Sequence, residues 1–241
     1  MKDQFLERYL SALLAGNRFQ SRLVIEEALQ MGIPANRVYM DIIWPIMIEI
    51  EKLHSRELID SAQEAFASRI NRTIVDQLQN KLPRKPERNK RIVICSSPDE
   101  NAELGGQMVT DMFESDGWDS RFLGGRVNHE DILSFIHEFR PDILLFYGLT
   151  PPQMPDIRHM IDRIRSINAF PNMKIMLSGG VFNRAEGLWE EIGADLFAPN
   201  AEDALRVASD ENTEVNKPLR TIKRRKRIAV EQSTPVTAES S

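Results

Sequence analysis

The fold of this chain is decided by Arg91-Ile92-Val93-Ile94-Cys95-Ser96 and by Glu100-Asn101-Ala102-Glu103-Leu104-Gly105, which begins four residues later. The first segment is a short apolar run that predicts a buried strand. The second opens an amphipathic stretch that continues through Met108 and Met112 and predicts a helix. Together they form a βα corner. In an open α/β sheet, ligands bind at such corners because the corners gather at the carboxyl edge of the sheet.

The same alternation of strand and helix continues to residue 209. Four further apolar runs, each separated from the last by a helical pattern, lie at 120–123, 143–147, 175–177 and 196–198. This alternation is typical of a parallel sheet that is covered by helices on both faces. We therefore predict an α/β domain over residues 91–209, with a flavodoxin-like, five-stranded, doubly wound parallel sheet.

Residues 1–82 show helical periodicity only. Apolar residues such as Leu6, Leu10 and Leu13 recur at helical spacing, and Gly16 and Gly32 interrupt the pattern. Four helices joined by short turns predict an N-terminal four-helix bundle. Residues 83–90 contain two prolines and five charged side chains, so this segment is interpreted as a surface linker and domain boundary.

Composition excludes several classes of protein. The formal net charge is −5, with 31 Lys and Arg against 36 Asp and Glu, so the surface as a whole is not built for nucleic acid or anionic lipid. Cys95 is the single cysteine, which excludes an internal disulfide or a thiolate zinc cluster and favours a buried structural thiol. No long apolar run or secretory signal is present, so we expect a cytoplasmic protein with no membrane contact.

The C-terminal segment 210–241 differs from the rest. It is polar, and six Lys and Arg residues cluster between Arg220 and Arg227. Such a composition buries too little apolar surface to offset the entropy of ordering, so we expect a disordered tail. Two interpretations stay open: a solvated end, or an exposed electrostatic contact with nucleic acid or an acidic partner.

A helical bundle followed by a flavodoxin-like domain resembles the cobalamin-binding module of corrinoid methyl-carrier proteins, methionine synthase and light-sensing cobalamin repressors. In that family the first βα corner reads Asp/Glu-x-His-x-x-Gly, and its histidine coordinates cobalt from below after displacing the cofactor's benzimidazole. The aligned residues here are Glu100, Ala102 and Gly105. A methyl side chain has no lone pair for cobalt, so the resemblance implies cobalamin as the cofactor without the usual lower ligand.

The ends of the third and fourth strands continue the resemblance. Where the family has Ser-x-Leu, this chain has Tyr147 and then Leu149, which puts a bulky phenol at the slot for the nucleotide tail. Ser178, Gly179 and Gly180 match the family's Gly-Gly, and glycines there would let a ligand tail approach the backbone. A tight βα turn is the alternative interpretation of this Gly-Gly pair.

The helical half departs from the family in the same direction. The sensing members carry a tryptophan, nine further residues and then a Glu-His pair over the upper face of the corrin. His54 stands at the tryptophan position, Glu64 is retained, and Ala65 replaces the histidine. We therefore assign His54 and Glu64 to the cofactor-facing side of the bundle. Trp44 is interpreted as an upper-face residue or as an aromatic anchor in the core.

One other histidine is a candidate cobalt ligand. His129 follows the second strand and thus lies at the carboxyl edge of the sheet, where it could replace the missing ligand. The alternative is a solvent-exposed histidine at a helix start, beside Glu130 and Asp131.

Three functions are open at this stage. The first is a cobalamin-binding sensor or regulator that holds its cofactor by shape. The second is a degenerate, cofactor-free module that acts through protein contacts, and the third is a corrinoid methyl-group carrier. Because each family residue that would contact cobalt axially is absent, we expect the first: a non-enzymatic regulatory module, with a transcription regulator or another protein as its partner. The sequence does not determine the oligomeric state.

Overall fold

The computed structural model describes residues 2–167 and 169–210, without the side chains of Lys2, Asp3 and Glu100. The expected disordered tail, and with it the basic cluster from Arg220 to Arg227, lies outside the described residues from position 211 onward. Within the described part of the chain, no helix is both long and apolar enough to cross a membrane.

The N-terminal region is helical, as the sequence predicts. Its elements are α1 (Lys2–Leu14), α2 (Arg18–Gln30), α3 (Ala35–Val38), a π-helical turn (Tyr39–Ile43), α4 (Trp44–Ser55) and α5 (Ser61–Gln79). The predicted third helix is thus a run of α3, the π turn and α4. Pro45, at the start of α4, cannot donate a backbone hydrogen bond, and the π turn lies directly before it, with the Trp44 N–H donating to the Tyr39 carbonyl.

A capping box begins α5. The carboxylate of Asp60 accepts a hydrogen bond from the backbone N–H of Gln63 at 2.7 Å, and the Gln63 side chain accepts one from the Asp60 N–H at 3.2 Å. Both bonds satisfy donors that a helix start would otherwise leave unpaired. They fix the point at which the chain turns back from α4 into α5.

The C-terminal region is a five-stranded parallel sheet. The strands are β1 (Arg91–Ser96), β2 (Asp119–Gly124), β3 (Ile143–Tyr147), β4 (Lys174–Ser178) and β5 (Leu196–Ala198), in the order β2-β1-β3-β4-β5. This is the flavodoxin-like order, which confirms the predicted fold class. The intervening helices are α6 (Glu100–Ser115), α7 (His129–Phe139), α8 (Met154–Ile167), α9 (Leu188–Ile192) and α10 (Ala201–Ser209).

Two apolar cores cover the two faces of the sheet. One core joins α6 and α10 to the sheet and continues without interruption into the helical bundle. The other lies under α7, α8 and α9 and contains the buried free thiol of Cys95. Burial raises the pKa of this thiol to about 12, because a low dielectric disfavours the thiolate. A structural role for Cys95 agrees with both observations.

The bundle packs along α6. Gln107 of α6 donates to Asp76 of α5 at 2.8 Å, and Gln79 of α5 donates to Asp111 of α6 at 3.0 Å. From the first pair to the second, the residue numbers increase in both helices, so α5 and α6 lie side by side and run in the same direction. The starts of α5 and α6 therefore meet at the carboxyl edge of the sheet.

The segment predicted as a linker, 83–90, is tied to the end of α6. The carboxylate of Asp116, only 8% exposed, pairs with Lys85 at 2.5 Å and with Arg88 at 2.9 Å. Two cations offset the cost of burying this carboxylate. The connection therefore packs on the α/β domain while it joins it to the bundle.

Candidate functional site

A cleft opens between the bundle and the carboxyl edge of the sheet. It has a volume of about 310 Å³, and one wall comes from α4 and α5 while the other comes from the loops after β1, β3 and β4. This volume lies at the small end of ligand pockets, which span roughly 300 to 1,000 Å³. The residues that line it are Trp44, Met47, Ile48, Glu51, Glu64, Asp99, Asn101, Ala102, Tyr147, Gly148, Leu149, Thr150, Gly180 and Arg184.

The first βα corner forms the floor of this cleft. Asp99 is the N-cap of α6, and its carboxylate accepts a hydrogen bond from the Ala102 N–H at 2.8 Å. Ala102 is 7% exposed, and its methyl group lies so close to the next corner that a Cβ on Gly148 would come within 2.8 Å of it. The corner thus has the predicted shape, and at position 102 it presents only a methyl group to the cleft. Glu100 is the first residue of α6.

Tyr147 fills the space next to this corner. It ends β3, is 8% exposed, and lies between Gly105 of α6 and Gly179 after β4. A Cβ on Gly105 would lie 2.4 Å from Tyr147 Cε1, and a Cβ on Gly179 would lie 2.9 Å from Tyr147 Cε2. The two glycines therefore leave room for the opposite edges of one phenol ring.

The hydroxyls of Ser96 and Ser178 flank the same ring. Ser96 pairs with Tyr147 across β1 and β3, and Ser178 pairs with it across β3 and β4. Residues in register on neighbouring strands point to the same face, so all three side chains face α6. Within the described part of the chain, neither serine Oγ has a hydrogen-bond partner, and both are buried. We call the space bounded by Gly105, Gly179, Ser96 and Ser178 the slot.

The loops after β3 and β4 touch through their backbones. Gly179 and Gly180 have φ values of +66° and +58°, and a Cβ on Gly180 would come within 2.3 Å of the Leu149 carbonyl oxygen. Only glycine fits such a contact without strain. Leu149 itself is 2% exposed and packs into the core under α8. Gly180 and Leu149 therefore close one end of the cleft, while Ser178 and Gly179 belong to the slot.

A hydrogen-bond network joins the bundle to the corner. The Asn101 side chain accepts from Ser68 Oγ at 2.9 Å and donates to Glu64 Oε1 at 3.2 Å. His54 Nδ1 lies 3.8 Å from the other oxygen of Glu64, and its Nε2 lies 3.2 Å from Ser61 Oγ. Glu64 thus lines the cleft, whereas His54 lies beside Glu64 and is not among the lining residues. The assignment of both residues to cofactor binding stays a prediction.

Trp44 forms the apolar wall opposite the corner. Its indole meets the Tyr147 phenol edge to face, with ring centroids 5.9 Å apart and an interplanar angle of 67°. Trp44 is also packed against the bundle core. Trp44 therefore forms a wall of the cleft and an anchor in the bundle core, and its role over the upper face of a corrin stays a prediction.

The charge around the cleft is mostly negative. Glu51, Glu64 and Asp99 contribute carboxylates, and Arg184 contributes one guanidinium. Burial, with smaller contributions from Glu51 and Asp99, raises the pKa of the Tyr147 phenol well above its ordinary value, so the ring is neutral at physiological pH. Such a lining favours a neutral or cationic ligand over a phosphate-rich one.

The structure does not bring His129 to the cleft. His129 begins α7, after the edge strand β2, and lines a shallow surface depression with residues 127–131. Among residues 2–167 and 169–210, no group of three or more His, Cys, Asp or Glu side chains is arranged to hold a metal ion. The proposal of His129 as a substitute ligand therefore has no support in the geometry of the cleft.

Several lining residues were not singled out from the sequence. Met47, Ile48 and Glu51 lie on the face of α4 that looks into the cleft, and Arg184 follows the turn after β4. Helical periodicity alone does not separate a cleft-facing residue from a core-facing one. Ile48 is 42% exposed, so an apolar side chain is left open to solvent, but this exposure is visible only in the fold.

The cleft and the slot fit the implied cofactor differently. The cleft has an apolar wall at Trp44 and a glycine-rich floor at Gly148, which suits the flat face of a large ring. The slot suits a planar heterocycle in its glycine cradle and its two unpaired hydroxyls, but Tyr147 already occupies it. The lining of the cleft therefore suits the face of a corrin ring, although a volume of about 310 Å³ is small for it, and the slot does not fit a nucleotide base while Tyr147 occupies it.

Comparison with known proteins agrees with the architecture. Two family models, both described as a B12 binding domain, match residues 5–79 and residues 90–209. These ranges coincide with the helical bundle and the α/β domain. Among solved structures, a monomethylamine corrinoid protein of Methanosarcina barkeri superposes with a TM-score of 0.73 at 20% identity, covering 86% of this chain and 98% of that one.

Sequence relatives are corrinoid proteins by name. Monomethylamine corrinoid protein 2 of Methanosarcina acetivorans is 25% identical over 213 residues, which are 85% of this chain and 96% of that protein. Dimethylamine corrinoid protein 1 of the same organism is 25% identical over 139 residues, which are 56% of this chain and 64% of that protein. These matches confirm cobalamin as the cofactor class, and they agree with a binding module rather than an enzyme. The chain belongs to the B12-binding domain family.

Proposed function

We propose that this chain is a non-enzymatic cobalamin-binding module that holds the corrin ring by shape, in the cleft between α4 and the first βα corner, and that it serves as a sensor or regulator. The observation that carries the proposal is the methyl group of Ala102 on the floor of the cleft. A side chain without a lone pair leaves cobalt without an axial ligand from the corner. Affinity must then come from apolar contact and from hydrogen bonds to the amide groups of the corrin.

The lining of the cleft supports binding by shape. Trp44, Met47 and Ile48 offer an apolar surface on the bundle side, whereas Glu64 and Asn101 offer acceptors and a donor at the rim. Because about 310 Å³ is small for a corrinoid, binding requires α4 to move away from the loop after β3. Such a movement of the bundle would allow a partner protein to distinguish the filled cleft from the empty one.

A corrinoid methyl-group carrier is the second candidate. It is favoured by the relation to monomethylamine corrinoid protein 2, which extends over 85% of this chain. Against it stands Ala102, because the resemblance implies that carriers use a histidine at this position. A cofactor-free interaction module is the third candidate, and it is favoured by the phenol of Tyr147 in the slot.

One set of measurements separates these candidates. The purified full chain is incubated in the dark with hydroxocobalamin, methylcobalamin and adenosylcobalamin, and binding is followed by equilibrium dialysis and visible spectra. We expect retention of at least one form. No retention would favour the cofactor-free module. Transfer of the methyl group from the bound methyl form to an added thiol, in the presence of a corrinoid methyltransferase, would favour the carrier.

A further inference from the structure

The slot has the features of a binding site for a flat ring. Its two sides are glycines, Gly105 and Gly179, at which any side chain would collide with whatever lies between them. Its ends are formed by β1 and β4, which each place a serine there. The slot is therefore about as wide as one aromatic ring.

The two serine hydroxyls indicate that an apolar ring is not the natural complement of this slot. Buried polar groups are almost always hydrogen-bonded, and an unpaired one costs about 1 to 3 kcal/mol. Ser96 Oγ and Ser178 Oγ are both buried and find no partner among the described residues. The edges of a phenol ring give these hydroxyls nothing to bond, whereas a heterocycle with ring nitrogens would.

Tyr147 is held in the slot from both domains. Gly105 and Gly179 enclose its edges, and Trp44 of the bundle packs against it from the cleft side. The phenol therefore cannot leave without moving the wall of the cleft. A ligand that enters the cleft meets Tyr147 before it can reach the slot.

We infer that Tyr147 is a built-in occupant of the slot and determines specificity: it keeps the nucleotide base of a corrinoid out of the protein, so that the base stays on cobalt. This rests on the proposed function, because it concerns a corrinoid in the cleft. It also explains why Ala102 and Tyr147 occur together. If the base remains on cobalt, the lower face already has its ligand and a histidine at position 102 has no role.

The first test uses the wild-type full chain and needs no variant. The protein is loaded with cob(II)alamin, and electron paramagnetic resonance is recorded, because nitrogen coupling from the benzimidazole appears only while the base is bound to cobalt. We expect this coupling in the wild type and in Tyr147→Phe, which keeps the ring. A bound cofactor whose coupling is lost in the wild type would overturn the inference and leave the proposed function standing.

The second test examines the slot without a corrinoid. Tyr147→Ser removes the ring, and free 5,6-dimethylbenzimidazole is titrated while the thermal midpoint is measured. We expect the variant to bind this base at least about tenfold more tightly than the wild type or Tyr147→Phe, a difference of about 1.4 kcal/mol. Equal binding by all three, or binding by none, would overturn the inference.

The two tests fail separately. If the wild type retains no corrinoid but Tyr147→Ser binds the base, the proposed function fails and the slot assignment holds. If Tyr147→Ser does not fold, Tyr147→Leu replaces it, because leucine keeps an apolar side chain in β3 but is too short to reach both glycines.

Discussion

The phenol of Tyr147 and the indole of Trp44 meet edge to face, with ring centroids 5.9 Å apart, and so join the end of β3 to the start of α4. One ring belongs to the sheet and the other to the bundle. The two rings therefore form part of the cleft wall and also hold the bundle against the sheet. Whatever enters the cleft must accommodate or break this contact.

The first prediction concerns this pair. Aromatic pairs of such geometry contribute about 0.5 to 1.5 kcal/mol beyond the burial of their surfaces. We expect Trp44→Leu and Tyr147→Leu to couple by this amount in a double-mutant cycle of urea unfolding. Trp44→Leu combined with Phe135→Leu is the control, because Phe135 of α7 packs on the opposite face of the sheet and we expect these two effects to add. Additive effects of Trp44→Leu and Tyr147→Leu would show that the two rings merely lie near each other.

The second prediction combines Ala102 with Tyr147. Ala102→His alone supplies a nitrogen for cobalt but leaves the displaced nucleotide base without a slot. We expect Ala102→His alone to change cobalamin affinity little. When Tyr147→Ser is added, we expect the affinity to exceed the product of the two single effects by at least about tenfold. Ala102→Leu with Tyr147→Ser is the matched control, because leucine adds bulk without a lone pair. Visible spectra and equilibrium dialysis provide the readout.

Two outcomes would contradict this prediction. If Ala102→His by itself tightens binding and gives the spectrum of histidine-ligated cobalt, the displaced base is accommodated outside the slot, and Tyr147 does not determine whether the base stays on cobalt. If no combination alters the spectrum, the corner does not face cobalt.

The third prediction concerns Asn101, which links α5 to α6 through Ser68 and Glu64. Asn101→Ala removes both bonds and leaves the buried Ser68 hydroxyl unpaired, so we expect a loss of about 1 to 2 kcal/mol in the free energy of unfolding. Gln107→Ala is the control on the same helix, since the bond from Gln107 to Asp76 is exposed and we expect its loss to cost at most about 0.5 kcal/mol. Equal losses would mean that burial at the corner does not matter.

Much of this architecture could be predicted from the sequence, because it depends on local periodicity. The five strands were predicted within one or two residues of their ends, and the substitution at Ala102 was evident from its place in the corner. The position of His129 outside the cleft follows from the predicted flavodoxin-like order, because that order already puts β2 at the edge of the sheet. The sequence shows that a bulky phenol stands at position 147. That this phenol fills the slot depends on Gly105 and Gly179, which are 74 residues apart in the chain, so only the fold reveals it.

The last prediction concerns pH and the buried bridge at Asp111, where the carboxylate accepts from Tyr39 at 3.0 Å and from Gln79 at 3.0 Å. Burial raises the pKa of Asp111 to about 6, with smaller contributions from Glu114 and Asp76, and the hydrogen bonds from Tyr39 and Gln79 oppose the rise. A carboxyl whose pKa is higher in the folded state stabilises the fold while it is protonated. This contribution is complete below about pH 4 and is lost as the pH rises through about 6.

Asp111→Asn imitates the protonated carboxyl, because its amide can donate to the Tyr39 oxygen while the Tyr39 hydroxyl donates to the Val75 carbonyl, 2.9 Å away. We therefore expect the stability of the variant relative to the wild type to increase between pH 4 and pH 6 and to stay constant above pH 7. Urea unfolding across this range measures the difference, and Asp156→Asn, which changes an exposed carboxylate in the first turn of α8, is the control. A difference that does not change with pH would show that Asp111 titrates near its ordinary value and that the bridge between α5 and α6 does not respond to protons.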